Sequence, residues 1–185
     1  MLSLLNPDQA YTEESPYALD IEIQEHGIAN IHAQLTIQAP PHLVYHVLTD
    51  YEHWPTLFPE GFQIHLSPCS HDCTIVADML IPHTFVPWDT HLRVKSIESS
   101  LHSFELHLLE GDYVQYHLRW KLTSTEIPAQ TQAVMDFILQ PKTSIMKWTP
   151  DFLYEWALRK GLEDHFDKIQ QQLAVRLRKS APTKP

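Results

Sequence analysis

Two cysteines, Cys69 and Cys73, are all that the 185 residues contain, so no disulfide framework can staple this fold and a hydrophobic core has to hold it. Basic residues are also scarce. Thirteen Lys and Arg against 23 Asp and Glu leave a formal net charge of −10, which repels phosphate backbones and anionic lipid headgroups. Only Arg176-Leu177-Arg178-Lys179 gathers positive charge, and the run is short. Nucleic acid is therefore not an expected partner. No apolar run approaches the roughly 18 residues that a membrane span needs. The opening MLSLLNPDQAYTEE lacks the positive flank and apolar stretch of a secretion signal. The expected compartment is the cytoplasm, where a Cys69–Cys73 bond is not expected to persist.

What is present is one domain's worth of core: 43% of the residues are hydrophobic, enough for a single unit and too few residues for two. Residues 1–17 have no period and read as a flexible arm, residues 18–179 as the domain, and 180–185 as a disordered tail. Leu19, Ile21 and Ile23, then Ile31, Ala33, Leu35 and Ile37, alternate with polar residues on either side of a Glu25-His26-Gly27 turn, the pattern of a hairpin. Pro40-Pro41 stops the second strand and opens a short amphipathic helix with Leu43, Val44, Val47 and Leu48 on one face. Asp50 is placed to cap a further turn over Tyr51–Trp54.

Residues 62–140 have no helical period and alternate repeatedly, so they predict antiparallel strands. Ile75, Ala77, Met79 and Ile81 share one face, as do Trp88, Thr90, Leu92 and Val94, then Phe104, Leu106 and Leu108, then Val114, Tyr116, Leu118, Trp120 and Leu122. A last strand runs from Thr131 to Gln140. The opposite faces carry His91, Arg93 and Lys95, Glu105 and His107, and Gln115, His117, Arg119 and Lys121, which suits a wet surface with cross-strand charge pairs. The other face needs a cover. Thr149 as cap, Pro150 at the first position and Asp151 in the first turn announce a helix to about Arg178, with Phe152, Trp156, Leu162, Phe166, Ile169, Leu173 and Leu177 as its apolar stripe. Gly161 interrupts it, either as tolerated noise or because another group approaches closely.

With these elements in this order, the chain resembles the START-like superfamily, also called the Bet v 1-like or polyketide cyclase/dehydrase and lipid transport (SRPBCC) group. The matching residues are Ile37-Gln38-Ala39-Pro40, the helix with Val44 and Leu48, Leu48-Thr49-Asp50-Tyr51, Trp54-Pro55-Thr56-Leu57-Phe58-Pro59, Trp120-Lys121-Leu122 and Pro150. The resemblance implies an α+β helix-grip fold: a curved antiparallel sheet wrapped around a long C-terminal helix, with two short helices after the first strands. It also implies an apolar cavity between sheet and helix for a lipid, isoprenoid, quinone or polyketide. Phe104, Tyr116, Trp120, Phe137, Phe152 and Trp156 are the expected lining, with Trp120, Tyr116 and Trp156 under the helix, although any one of them taken singly is more often a filler of a solid core. The expected portal has Tyr51, Trp54 and Phe58 on one side and Phe85 and Trp88 on the other. Tyr51 and Trp54 serve as gate or as structural wedge, and their spacing does not choose.

Three functions stand open. The first is a non-catalytic carrier or sensor of a hydrophobic ligand, with no cofactor and no metal. The second is a cyclase-like enzyme, which needs an acid/base pair facing the cavity. The third is an interaction domain with a collapsed cavity. Asp78 and Asp136, with His83 and Arg93 as companions, are the acid/base candidates, but regular alternation turns both aspartates to solvent. No catalytic residue is therefore assigned, and the binding reading leads. The 13 histidines invite a metal search. No HExxH occurs; His32, His91, His107 and His117 lie on wet strand faces, and His42, His46, His53 and His165 lack a carboxylate at ligand spacing. Cys69-Ser70-His71-Asp72-Cys73, with His65 upstream, holds soft ligands but no second pair, so a turn is expected there rather than a zinc site.

Overall fold

The computed structural model describes residues 17–69, 72–82, 89–142 and 149–180. The expected N-terminal arm and C-terminal tail fall almost wholly outside the described residues, as do His83, Phe85 and Trp88.

Strands β1 (Tyr17–Gln24) and β2 (Ile28–Ile37) form the expected hairpin, with Tyr17 opposite Leu35 and Gln24 opposite Ile28. Its turn places His26 and Gly27 at φ 64° and 72°, the left-handed region that glycine enters without penalty. Helix α1 (Pro41–Leu48) starts at the second proline, and a 3-10 turn follows over Tyr51–Thr56. Then come β3 (Gln63–Pro68), β4 (Ile75–Ile81), β5 (Thr90–Ser100), β6 (Ser103–Gly111), β7 (Tyr113–Ser124), β8 (Thr131–Pro141) and α2 (Asp151–Ser180). The eight strands make one antiparallel sheet in the order β1-β2-β8-β7-β6-β5-β4-β3. The fold is thus α+β, a curved sheet gripping a long C-terminal helix. No described helix is long and apolar enough to cross a membrane.

Alternation decides which face meets α2. Ala29, Ile31, Ala33, Leu35 and Ile37 on β2, Leu92 and Val94 on β5, Phe104 and Leu106 on β6, Trp120 and Leu122 on β7, and Ala133, Met135 and Leu139 on β8 are all buried. They pack on Phe166, Ile169 and Leu173 of α2. One strand departs from its pattern: Val114, expected inside, is 58% exposed. The β7–β8 register slips between Tyr113 and Gln115, so Val114 is the extra residue of a bulge, and the alternation restarts beyond it. Gly111 is fixed by contact as well as by its φ of 137°, because a Cβ there would lie 2.4 Å from the His91 carbonyl oxygen.

The helix stripe is also corrected. Its inward residues in the first turns are Tyr154 and Leu158, leading through Leu162 to Phe166, whereas Phe152 and Trp156 are 69% and 49% exposed. Trp156 and Leu162 are six residues apart, about 600° of rotation or about 240° out of phase, so the two cannot share a face. Gly161 has no heavy atom within 4 Å of where its Cβ would stand, and close approach does not explain it. Cys69 and Cys73 are joined by a disulfide with Cα atoms 5.7 Å apart, contrary to the expectation of a free pair; four residues of chain let the turn bring them within bonding range.

Candidate functional site

Large apolar side chains meet between the sheet and α2. Phe104 and Trp120, two expected lining residues, are buried, and Trp120 meets Phe166 edge-on with centroids 6.2 Å apart. Toward the start of α2 the surroundings become richer in hydroxyls. Tyr116 sits edge-on between Tyr113, at 5.6 Å, and Phe137, at 4.9 Å, so two further expected lining residues do come together there. Tyr113, which the sequence reading missed, hydrogen-bonds Thr90. Tyr154, also missed, brings a third hydroxyl within electrostatic reach of Tyr113. Burial pushes all three phenols well above their ordinary pKa, so they stay protonated donors. The Tyr154 hydroxyl is buried without a hydrogen-bond partner among the described residues. An orphaned donor of this kind costs free energy that a bound acceptor would recover.

A second polar group lies where α1 meets the sheet. Glu98 Oε2 accepts from the Tyr45 hydroxyl at 2.5 Å, and its Oε1 from the Tyr51 hydroxyl at 2.9 Å; Tyr51 also shares a 2.5 Å bond with Ser96. Burial, and then the Glu98 carboxylate, holds the Tyr45 phenol protonated. Tyr51 is likewise raised, chiefly by burial. Groups held so far from neutral pH make weak proton shuttles. The network anchors α1 and the 3-10 turn onto β5. Neither Glu98 nor Tyr45 was expected in it, although Glu98 falls in phase with the inward Leu92, Val94 and Ser96.

Of the expected portal, Tyr51, Trp54 and Phe58 lie among the described residues, and Phe85 and Trp88 do not. Tyr51 and Trp54 are buried, and the Trp54 indole donates to the Leu48 carbonyl at 3.0 Å, which ties the 3-10 turn to the end of α1. Trp54 leads to Phe58 at 5.7 Å, and Phe58 stacks on Phe62 at 4.3 Å and against His165 of α2 at 4.7 Å. His165 Nδ1 donates to the Leu57 carbonyl at 2.9 Å and Lys168 Nζ to the Phe58 carbonyl at 2.7 Å. Loss of water around His165 holds its pKa below the ordinary histidine value. Asp50 makes no side-chain cap bond; its carboxylate binds His53 and Arg176 instead, so His53 does have an acidic partner.

A groove of about 500 Å³ opens between the end of β2 and the last turns of α2, lined by Thr36, Ile37, Gln38, Gln170, Leu173, Ala174 and Leu177. The Gln170 side-chain nitrogen is buried there without a partner among the described residues. The acid/base candidates lie elsewhere, on the outer face: Asp78 pairs with Arg93 at 3.5 Å and Asp136 with His32 at 2.8 Å. Alternation had pointed them that way. Also on that face, Glu105, His107 and His117 bring three ligand atoms within 4.8 Å of one another.

A curved antiparallel sheet closed by one long C-terminal helix defines a helix-grip protein of the START/Bet v 1 type. Residues 37–166 match the family described as polyketide cyclase / dehydrase and lipid transport, and the chain belongs to that family. Among curated proteins no sequence match occurs. Similar solved structures include TTHA0849 from Thermus thermophilus, with a TM-score of 0.67 and 15% identity over 80% of this chain and 98% of that one. The Zhui aromatase/cyclase from Streptomyces sp. R1128 gives 0.67 and 16% over 84% and 99%. A START superfamily protein from Mycobacterium smegmatis gives 0.64 and 13% over 78% and 97%. At such identities the likeness establishes the fold and leaves activity open.

Proposed function

We propose that the protein binds a hydrophobic small molecule carrying a hydrogen-bond-accepting oxygen, held between the sheet and the first turns of α2, and that it acts as a carrier or sensor rather than as an enzyme. A quinone, an isoprenoid alcohol or an aromatic polyketide has this chemistry. The observation that carries the reading is the buried Tyr154 hydroxyl, without a partner among the described residues, beside an aromatic surface of Tyr113, Tyr116 and Phe137. Apolar walls supply affinity, and a few placed donors supply orientation. The cyclase-like alternative needs a group able to give and take a proton near neutral pH. The tyrosines are raised out of that range, and Asp112, whose charge reaches Tyr113, already accepts the His91 backbone N–H at 2.7 Å. These features favour binding. The cytoplasmic location stays part of the proposal.

Native mass spectrometry of protein purified from its own host, followed by organic extraction, tests this reading. The expected result is an apolar metabolite recovered unchanged from the wild type and depleted in Tyr154→Phe. Conversion of that metabolite to a cyclised product on incubation would support the enzyme instead, and a wild type that carries and takes up no apolar metabolite would refute both.

A further inference from the structure

The outer face of the sheet carries a second arrangement that the ligand-binding reading does not use. Strands β6 and β7 pair antiparallel with His107 directly opposite His117 and Glu105 opposite Arg119. Glu105 and His107 are two residues apart on one strand, so they share a face, and register brings His117 alongside. The same alternation buries Phe104, Leu106 and Trp120 on the inner side. Both imidazoles present Nε2 to a single carboxylate oxygen, Glu105 Oε2, at 2.9 Å from His107 and 3.1 Å from His117. The two rings stack at 4.4 Å with 30° between their planes.

These spacings are those of a ligand set. An ion bound by His nitrogens and a carboxylate oxygen at about 2.0–2.2 Å in tetrahedral geometry separates its donors by about 3.3 Å, and both N···O distances are already close to that. The platform is stiff, because β6 is bonded to β5 and β7, and β7 to β6 and β8. The second carboxylate oxygen, Oε1, faces the Arg119 guanidinium at 3.7 Å. That contact occupies Oε1, while Oε2 is the oxygen that both imidazoles face, so an ion would replace those two hydrogen bonds, with Arg119 as an outer-shell partner. All three side chains are partly exposed, which leaves the remaining coordination positions to water, and the net charge of −10 draws cations toward the surface.

We propose that Glu105, His107 and His117 bind one divalent transition-metal ion of the zinc, nickel and copper group on the face of the sheet away from α2. Two imidazoles and one carboxylate suit these ions and not magnesium or calcium, which take oxygen ligands. Binding releases whatever protons the two Nε2 atoms carry, since the ligating imidazoles must offer lone pairs.

Titration of the full-length protein with Co²⁺, followed by its visible absorption, and with Zn²⁺ by calorimetry, tests the site. The expected result is one ion per chain, with affinity falling at least tenfold in His107→Ala and in His117→Ala and unchanged in His32→Ala, which removes a strand histidine of the same face elsewhere. Circular dichroism of the metal-free variants checks that they fold. Should either fail, nuclear magnetic resonance of the wild type with substoichiometric Cu²⁺ reads the same answer, through line broadening centred on residues 105–107 and 117. Equal affinity in wild type and a His107→Ala/His117→Ala double variant, or broadening centred elsewhere, would overturn the proposal.

Discussion

Tyr154 and Tyr113 are neighbouring buried phenols, and removing their hydroxyls has opposite consequences. Tyr113 shares a hydrogen bond with Thr90, whereas the Tyr154 hydroxyl has no partner among the described residues. A buried unsatisfied group carries a desolvation cost of about 1–3 kcal/mol, while a satisfied neutral hydrogen bond contributes a net of about 0.5–1.5 kcal/mol. Tyr154→Phe therefore stabilises the ligand-free protein by about 1–3 kcal/mol, and Tyr113→Phe destabilises it by about 1 kcal/mol. For a chain of this length each kcal/mol moves Tm by about 2–4 °C, so the two variants should melt on opposite sides of the wild type by several degrees. Differential scanning calorimetry on protein stripped of bound organics measures the shift. The wild type with its native ligand restored should gain more in Tm than Tyr154→Phe does, because the lost donor costs roughly fivefold or more in affinity at about 1 kcal/mol. A lowered Tm for stripped Tyr154→Phe would refute the reasoning, since it would show that the hydroxyl is already satisfied within the protein.

The buried phenols also set the behaviour in alkali. Tyr51, Tyr113, Tyr116 and Tyr154 all have raised pKa values, so their stabilisation is complete below the unfolded value of about 10 and is lost as pH rises above it. Four such groups steepen the loss toward about 5 kcal/mol per pH unit at about 1.4 kcal/mol each. Absorbance at tyrosinate wavelengths should thus rise in one cooperative step with unfolding, and gradual ionisation of these four in the folded state would contradict the burial. Glu98→Ala strands the Tyr45 hydroxyl and leaves Tyr51 only its bond with Ser96, and should cost about 1–3 kcal/mol in urea unfolding; a loss below about 0.5 kcal/mol would mean that the network does not anchor α1. Gly161→Ala, with open space at its Cβ, should stabilise the protein by up to about 1 kcal/mol, and a lowered Tm would reveal a contact at that turn.

Where one rule governs a long stretch, the sequence was readable. Period-two alternation placed the inward residues of β2, β5 and β6, because a strand cannot shift by one residue without exposing its whole apolar set. Two prolines marked the start of α1 for a similarly local reason. The errors occur where a single residue breaks the count. A bulge at Val114 cancels one step of alternation, and a stripe traced through Phe152 and Trp156 joins two phases of the same helix. Neither break leaves a local mark, since Val114 fits a strand and Trp156 fits a helix whichever way it faces.

The functional groups were harder to see for a different reason. Each depends on register between distant segments, and composition carries no register. Glu98 meets Tyr45 and Tyr51 only because α1 folds across β5. Tyr154 nears Tyr113 only because α2 lies along the sheet in one rotational setting. Glu105, His107 and His117 were placed on the right face, yet read as ordinary charge pairs, because facing alone does not show that His107 stands opposite His117. Had the β6–β7 pairing slipped by two residues so that His107 faced Arg119, every side chain would keep its face, while Glu105 and His107 would lose the second imidazole. Facing is set by hydrophobicity, which many sequences satisfy. The meeting of three ligands is set by the β6–β7 register, which depends on the length of the turn between the two strands and not on which face is apolar.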